Sequence, residues 1–384
     1  MNFDFSTSGQ IIFGQGSIQR MAEVITGIGG YGMVVMGSHL DGKNPVEDNL
    51  ISAGIPYTRT VVLREPTMDI IEAGAAEARD KKVDFIIAIG GGSVIDAGKA
   101  IGMLASNAGR VLDFVEVVGK GQRFTKPSLP VIAIPTTAGT GSEVTRNAVV
   151  SIPQHKVKAS LRHPGMVPYK AIIDPGLMLD LPAGITSSTG MDALTQVIEP
   201  FTSAKSNPMV DSLCLPAIKM GIQSLPECYS TPHNLEAREK MAYVSLIGGI
   251  ALTNAGLGAV HGFAAAIGGM KDIPHGAICA SMLVPVLEAN YLAIMERQPE
   301  NPARDKYEIL TKLLLPPGRR NVEELIKMLY QFTQEIGTPG LGKLGVRTEE
   351  YPQIVEKALN ASSMKGNPIR LSAEELTNIL HISA

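Results

Sequence analysis

The first half of this chain alternates short apolar, β-branched runs with helix-like segments, and the alternation stops near residue 180. No other feature restricts the fold as much, because strands that alternate with helices build a mostly parallel sheet with helices on both faces. Met33–Met36 is a short apolar run ending at Gly37, and Tyr57–Leu63 is β-branched and extended. Ile70–Lys81 reads as a helix. Phe85–Ile89 reads as a strand that runs directly into Gly90-Gly91-Gly92-Ser93, with a helix predicted over Val94–Ala105. Val131–Ile134 leads into Pro135-Thr136-Thr137, and Ala171–Ile173 ends at Asp174-Pro175. After Asp180-Leu181-Pro182 the β-branched runs vanish. Long Ala/Leu/Ile/Met segments replace them at Gly190–Phe201, Met209–Ser224, Leu235–Thr253, Ala277–Arg297, Val322–Ile336 and Thr348–Leu359, the pattern of an all-α bundle. A length of 384 residues suits two domains, predicted as 1–180 (α/β) and 181–384 (all-α).

Bulk properties exclude several functions. A net charge of −3 leaves no electrostatic footprint for nucleic acid or an anionic membrane. Cys214, Cys228 and Cys279 are far apart with no CxxC spacing, as expected of reduced thiols. Met1–Gln10 has neither the basic nor the apolar region of a secretory signal, so a cytoplasmic location is expected. Met241–Met270 has no Asp, Glu, Lys or Arg and by length could span a bilayer. It also holds Asn254, His261 and repeated glycines, with few large aliphatics and no flanking aromatic belt, so a buried helical segment is predicted instead.

Two loops carry the chemistry of the first half. Glycines at Gly90-Gly91-Gly92 let a backbone approach a phosphate, and the helix that follows offers unpaired N–H groups and its positive dipole end. Ser93 is expected to cap that helix, with Asp96 completing a variant of the capping box. Pro135-Thr136-Thr137-Ala138-Gly139-Thr140-Gly141-Ser142-Glu143 packs hydroxyls and glycines at the carboxyl end of another strand, where ligands gather in open α/β sheets. A capped, Gly-rich turn and a polar surface loop are the bland alternatives.

The segments AIGGGSVIDAGKA (Ala88–Ala100) and IPTTAGTGSEVT (Ile134–Thr145) resemble the paired cofactor signatures of group III, or iron-containing, alcohol dehydrogenases. GMDALTQVIEPFTS (Gly190–Ser203) and AVHGFAAAIGGMKDIPHG (Ala259–Gly276) resemble that family's metal signatures. The resemblance implies an N-terminal Rossmann-like domain and an all-α C-terminal domain, the dehydroquinate synthase-like fold, with the active site between them. It also implies hydride transfer between NAD or NADP and a small-molecule alcohol or aldehyde. Carried across, Gly91, Gly92, Ser93 and Asp96 would hold the pyrophosphate, and Thr136, Thr137, Thr140 and Ser142 would contact phosphate, ribose or nicotinamide. Lys158 would reach the ribose, a task suited to a charged donor with several N–H groups. A homodimer is the default assembly, with no nucleic-acid or membrane partner.

The resemblance also implies a divalent metal, Fe or Zn, held by one Asp and three His. Asp192, His261 and His275 match three of these ligands. The fourth should lie one helical turn after Asp192, where this chain has Gln196, whose neutral carbonyl is a weaker ligand than imidazole. A further histidine often assigned a proton-transfer role in the family is replaced by Ala265. Taken singly, Asp192 could complement a helix dipole, His261 could be a core histidine and His275 could sit in a turn. Three outcomes follow: a depleted metal site, metal-free reduction of an oxo acid as in maleylacetate reductase-like members with His261 or His275 polarising the carbonyl, or a cofactor-binding protein without turnover. At the cofactor's adenosine end, Gly37 stands where NAD-preferring relatives carry Asp. With Ser38 and His39 beside it, the missing carboxylate favours NADP(H) over NAD(H).

Overall fold

A computed structural model describes residues 2–42, 44–115, 118–155, 157–319 and 321–384. The chain forms two compact units. One comprises Ser6–Thr137 with Gly141–Leu179; the other takes residues 2–5, Ala138–Thr140 and Asp180–Ala384.

The first unit is α/β. Its strands are β1 (Gln10–Phe13), β2 (Gly32–Gly37), β3 (Tyr57–Val62), β4 (Phe85–Gly90), β5 (Val131–Pro135), β6 (Asn147–Ile152), β7 (Val157–Arg162) and β8 (Lys170–Ile173). Its helices are α1 (Met21–Ile25), α2 (Pro45–Ser52), α3 (Met68–Asp80), α4 (Gly92–Ser106) and α5 (Val111–Phe114). Six strands form one parallel sheet in the order β1-β8-β5-β4-β2-β3. Burial on both faces explains why β2, β4 and β5 read as unbroken apolar runs. Met33, Val35, Ile86, Ala88, Val131 and Ala133 point to one core with Ile71 and Ile101. Their neighbours Val34, Met36, Ile87, Ile89, Ile132 and Ile134 point to the other with Val24 and Leu50. The antiparallel hairpin β6–β7 was not foreseen. It buries only alternate residues, Ala148, Val150 and Ile152 on β6, and a half-polar strand gives a weaker signal in sequence.

The second unit is helical: α6 (Ala183–Thr202), α7 (Pro208–Ser230), α8 (Leu235–Ala255), α9 (Ala259–Met270), α10 (His275–Arg297), α11 (Ala303–Leu314), α12 (Val322–Glu335), α13 (Tyr351–Leu359) and α14 (Ala373–Ile382). The uncharged stretch Met241–Met270 is buried helix, but divided: α8 and α9 meet at 99° around Gly256-Leu257-Gly258. Helix α10 is long and apolar enough to cross a bilayer, yet most of its apolar window is buried inside the protein, as in a core helix. One local expectation is corrected. Helix α4 starts at Gly92, with Gly91 at the N-cap and no side-chain cap, so Ser93 lies inside the first turn and neither it nor Asp96 caps the helix.

Candidate active site

In the α/β unit the register decides which loops meet. Gly90 on β4 is paired with Pro135 on β5, and Thr136 N–H donates to Gly90 O at 3.0 Å or less (2.9 Å), so both loops leave the same end of the sheet side by side. Gly91 and Gly92 open α4, whose first-turn N–H groups have no intrahelical acceptors. A Cβ at Gly91 would lie 3.5 Å from Thr137 Cγ2, ordinary contact, and its backbone is extended. Nothing in the chain's own packing therefore demands glycine there. An open backbone between the two loops fits a group, such as a pyrophosphate, that must approach it closely. Ser93 and Thr137 are half-buried and Thr136 is buried.

Asp96 is committed to protein partners. One of its oxygens accepts from Ser142 Oγ and lies 2.9 Å from Lys99 Nζ, and the other accepts from Val149 N–H at 2.8 Å. Lys99, fully buried, also donates to Ser142 O at 2.9 Å, Ser142 Oγ at 2.6 Å and Thr145 Oγ1 at 2.9 Å. Burial pulls the Lys99 ammonium down and the neighbouring Asp96 only partly restores it. The lysine thus fastens the second loop to α4. Glu143, buried beside it, has its carboxyl pushed up to about 7 by desolvation, against a backbone hydrogen bond and the attraction of Lys99. Lys158 on β7 pairs with Glu65 at 3.2 Å. Gly37 ends β2 in an ordinary extended conformation, with Ser38 and His39 exposed after it. Thr140, with Ala138 and Gly139, belongs with the helical unit, whereas Thr136, Thr137 and Ser142 belong to the α/β unit.

In the helical unit α6 carries Asp192, Gln196 and Glu199 along one face, spaced by one and two turns. His261 lies in the first turn of α9, and His275 opens α10. Gly276 makes their approach possible: a Cβ there would strike Ser188 O of α6 at 2.2 Å. His261 Nε2 is 3.3 Å and His275 Nε2 3.8 Å from Asp192 Oδ1. Cys279, one turn after His275, completes the group, and the four donor atoms all lie within 4.8 Å of one another. Asp192 Oδ1 is buried without a hydrogen-bond partner among the described residues. A buried carboxylate oxygen left without a hydrogen bond is costly. Facing two imidazoles, it fits a divalent cation.

Glu199 holds this cluster from behind. Its carboxylate accepts from His261 Nδ1 at 2.7 Å and from Val260 N–H at 2.7 Å. Burial alone would depress His261, but the close Asp192 carboxylate, together with the hydrogen bond to Glu199 and its charge, raises it to about 9. Burial pushes Asp192 up, and the two imidazoles close to its carboxylate more than reverse this, leaving it below its ordinary value. Burial and the Asp192 and Glu199 charges hold the Cys279 thiol well above its usual range. Gln196 is buried, and its Nε2 donates to Gly139 O at 2.9 Å, so half of its amide serves the loop.

Lys99, Glu199 and Cys279 were not expected from the motifs. Glu199 had a usable signal, since Asp192, Gln196 and Glu199 recur at helical spacing. Lys99 stands three residues after Asp96 on α4. Cys279 had only its spacing from His275, and a lone thiol is ordinarily core material.

Both parts of the chain match one known family. Residues 8–175 match the family described as iron-containing alcohol dehydrogenase, and residues 186–384 match the family's C-terminal domain. The chain is 32% identical to 1,3-propanediol dehydrogenase of Klebsiella pneumoniae, covering 98% of this chain and 97% of that one. It is 34% identical to NAD-dependent methanol dehydrogenase of Bacillus methanolicus, covering 82% and 81%. Among solved structures it is similar to alcohol dehydrogenase from Oenococcus oeni, with a TM-score of 0.91, 32% identity and full coverage of both chains.

Proposed function

This chain belongs to the iron-containing alcohol dehydrogenase family and is an oxidoreductase that moves hydride between a nicotinamide cofactor and an alcohol; from that premise we propose how its own residues do so. Asp192, His261 and His275 would hold a divalent ion, which supplies Lewis-acid character toward an alcohol or aldehyde oxygen. The observation that carries this reading is the buried Asp192 Oδ1, which faces two imidazoles with no hydrogen bond of its own among the described residues. Glu199 is a positioning residue: by accepting from Nδ1 it sets the tautomer and orientation of His261 and leaves Nε2 toward Asp192.

The dinucleotide supplies the hydride acceptor or donor. Gly91, Gly92 and Ser93 present backbone N–H groups and the positive end of α4 to its pyrophosphate. Thr136, Thr137, Thr140 and Ser142 serve phosphate, ribose or nicotinamide, and Lys158 the ribose. Asp96 acts indirectly, holding Ser142 together with Lys99. Ala265 carries no titratable group, so that position cannot take the alcohol proton, which would have to pass to water. Gly37 carries no carboxylate to repel a 2′-phosphate, which supports NADP(H) as the preferred form, and a homodimer is the default assembly.

The test is turnover of a panel of primary alcohols and aldehydes, followed at the nicotinamide absorbance before and after chelation. We expect activity to fall on chelation and return with a divalent ion. Unchanged turnover in metal-free protein would refute the metal reading. Oxo-acid reduction under those conditions would select the second reading, which the replacement of an imidazole by Gln196 favours. Cofactor binding with no turnover of any substrate would overturn both.

A further inference from the structure

We propose that Cys279 Sγ is a ligand of the metal, taking the place of the imidazole that Gln196 does not supply, and that the shell Asp192, His261, His275 and Cys279 selects zinc over iron. The proposal rests on the metal-dependent reading above.

The argument starts from α10. His275 and Cys279 are four residues apart on this helix, so their side chains share a face. That face meets Asp192 and His261, and Sγ lies within 4.8 Å of the donor atom of each of the other three residues. Gln196 is the poorer candidate. Its Nε2 is engaged with Gly139 O, and only a neutral carbonyl oxygen remains. Cys279 is fully buried and is surrounded by the groups a cation would need.

Charge points the same way. One carboxylate and three imidazoles leave a divalent centre with a net charge of about +1, whereas one carboxylate, one thiolate and two imidazoles neutralise it. A neutral centre suits a pocket whose ligands are mostly buried. Thiolate is also a soft donor, and mixed N, S and O shells favour zinc over ferrous iron. Sγ binds as thiolate, and its proton passes to solvent as the ion enters.

Cobalt(II) is the probe, because a thiolate bound to it gives a near-ultraviolet sulfur-to-cobalt charge-transfer band that oxygen and nitrogen ligands do not. The full chain, stripped with chelator and titrated with cobalt, is expected to develop this band, saturating at one equivalent. Cys279→Ser and Cys279→Ala should lose it, while Cys214→Ser and Cys228→Ser keep it. Protein produced with both iron and zinc supplied should carry zinc. Should the Cys279 variants not fold, the wild-type spectrum decides. Stoichiometric cobalt without the band overturns the role of Cys279 and leaves the metal reading intact, as does a band that survives Cys279→Ser. Failure to take up any divalent ion, with alcohol turnover preserved, overturns both.

Discussion

Lys99 and Asp96 offer a quantitative test of how the cofactor loop is built. At their separation of 2.9 Å the mutual attraction is about 6 kcal/mol with an effective dielectric of about 20. Burial offsets it, and the depressed pKa of Lys99 shows that for the ammonium the desolvation penalty wins. The pair is therefore worth little against a neutral pair, yet expensive to break. Lys99→Met keeps the stem's packing but leaves Asp96 unneutralised and deprives Ser142 O and Thr145 Oγ1 of a donor. We expect a loss of about 3 to 5 kcal/mol. Asp96→Asn strands the buried ammonium and should cost a similar amount. In the double variant neither charge remains, and the penalty should fall short of the sum by about 2 to 3 kcal/mol. The chain has no tryptophan, so urea unfolding is followed by circular dichroism, and amide exchange in α4 and residues 142–149 localises the loss to the α/β unit. Penalties that add within about 0.5 kcal/mol would refute this account of the loop.

Glu143 makes the α/β unit sensitive to pH. Its folded pKa of about 7 exceeds the ordinary 4.5, so the stabilisation from its proton is complete below about 4.5 and lost as pH rises through about 7. Glu143→Gln should gain on the parent across that window, with a ceiling of about 3 kcal/mol, and parallel melting curves from about pH 5 to 9 would rule this out. Glu199→Gln keeps an acceptor for Val260 N–H but removes the charge behind His261, and should weaken metal retention by about 10- to 100-fold in chelator competition. Unchanged retention would show that Glu199 is merely structural. Gly37→Asp is compatible with its extended backbone once the exposed His39 ring, 2.8 Å from the new Cβ, turns aside. It should lower the NADPH:NADH ratio of kcat/KM by at least about tenfold, or ~1.4 kcal/mol, and an unaltered ratio would show that position 37 does not read the ribose.

The division of the chain into an α/β part and a helical part was legible in the sequence, because a doubly covered parallel sheet forces β2, β4 and β5 to be continuously apolar. The loops after β4 and β5 were legible for a related reason: their glycines and hydroxyls stand directly behind those runs. Asp192, His261 and His275 could be marked as candidate ligands through the family resemblance. What they face was decided only in three dimensions. Helical spacing places Asp192, Gln196 and Glu199 on one side of α6, but it does not say that α9 and α10 deliver His261 and Cys279 there, or that Gly276 permits α10 to approach. Nor could spacing show that Asp96 turns away from a capping role to meet Lys99, Ser142 and Val149, since those contacts span three to more than fifty residues. Local pattern records which face of an element is buried. Which polar groups must then satisfy one another inside that burial is settled by packing between elements remote in the chain.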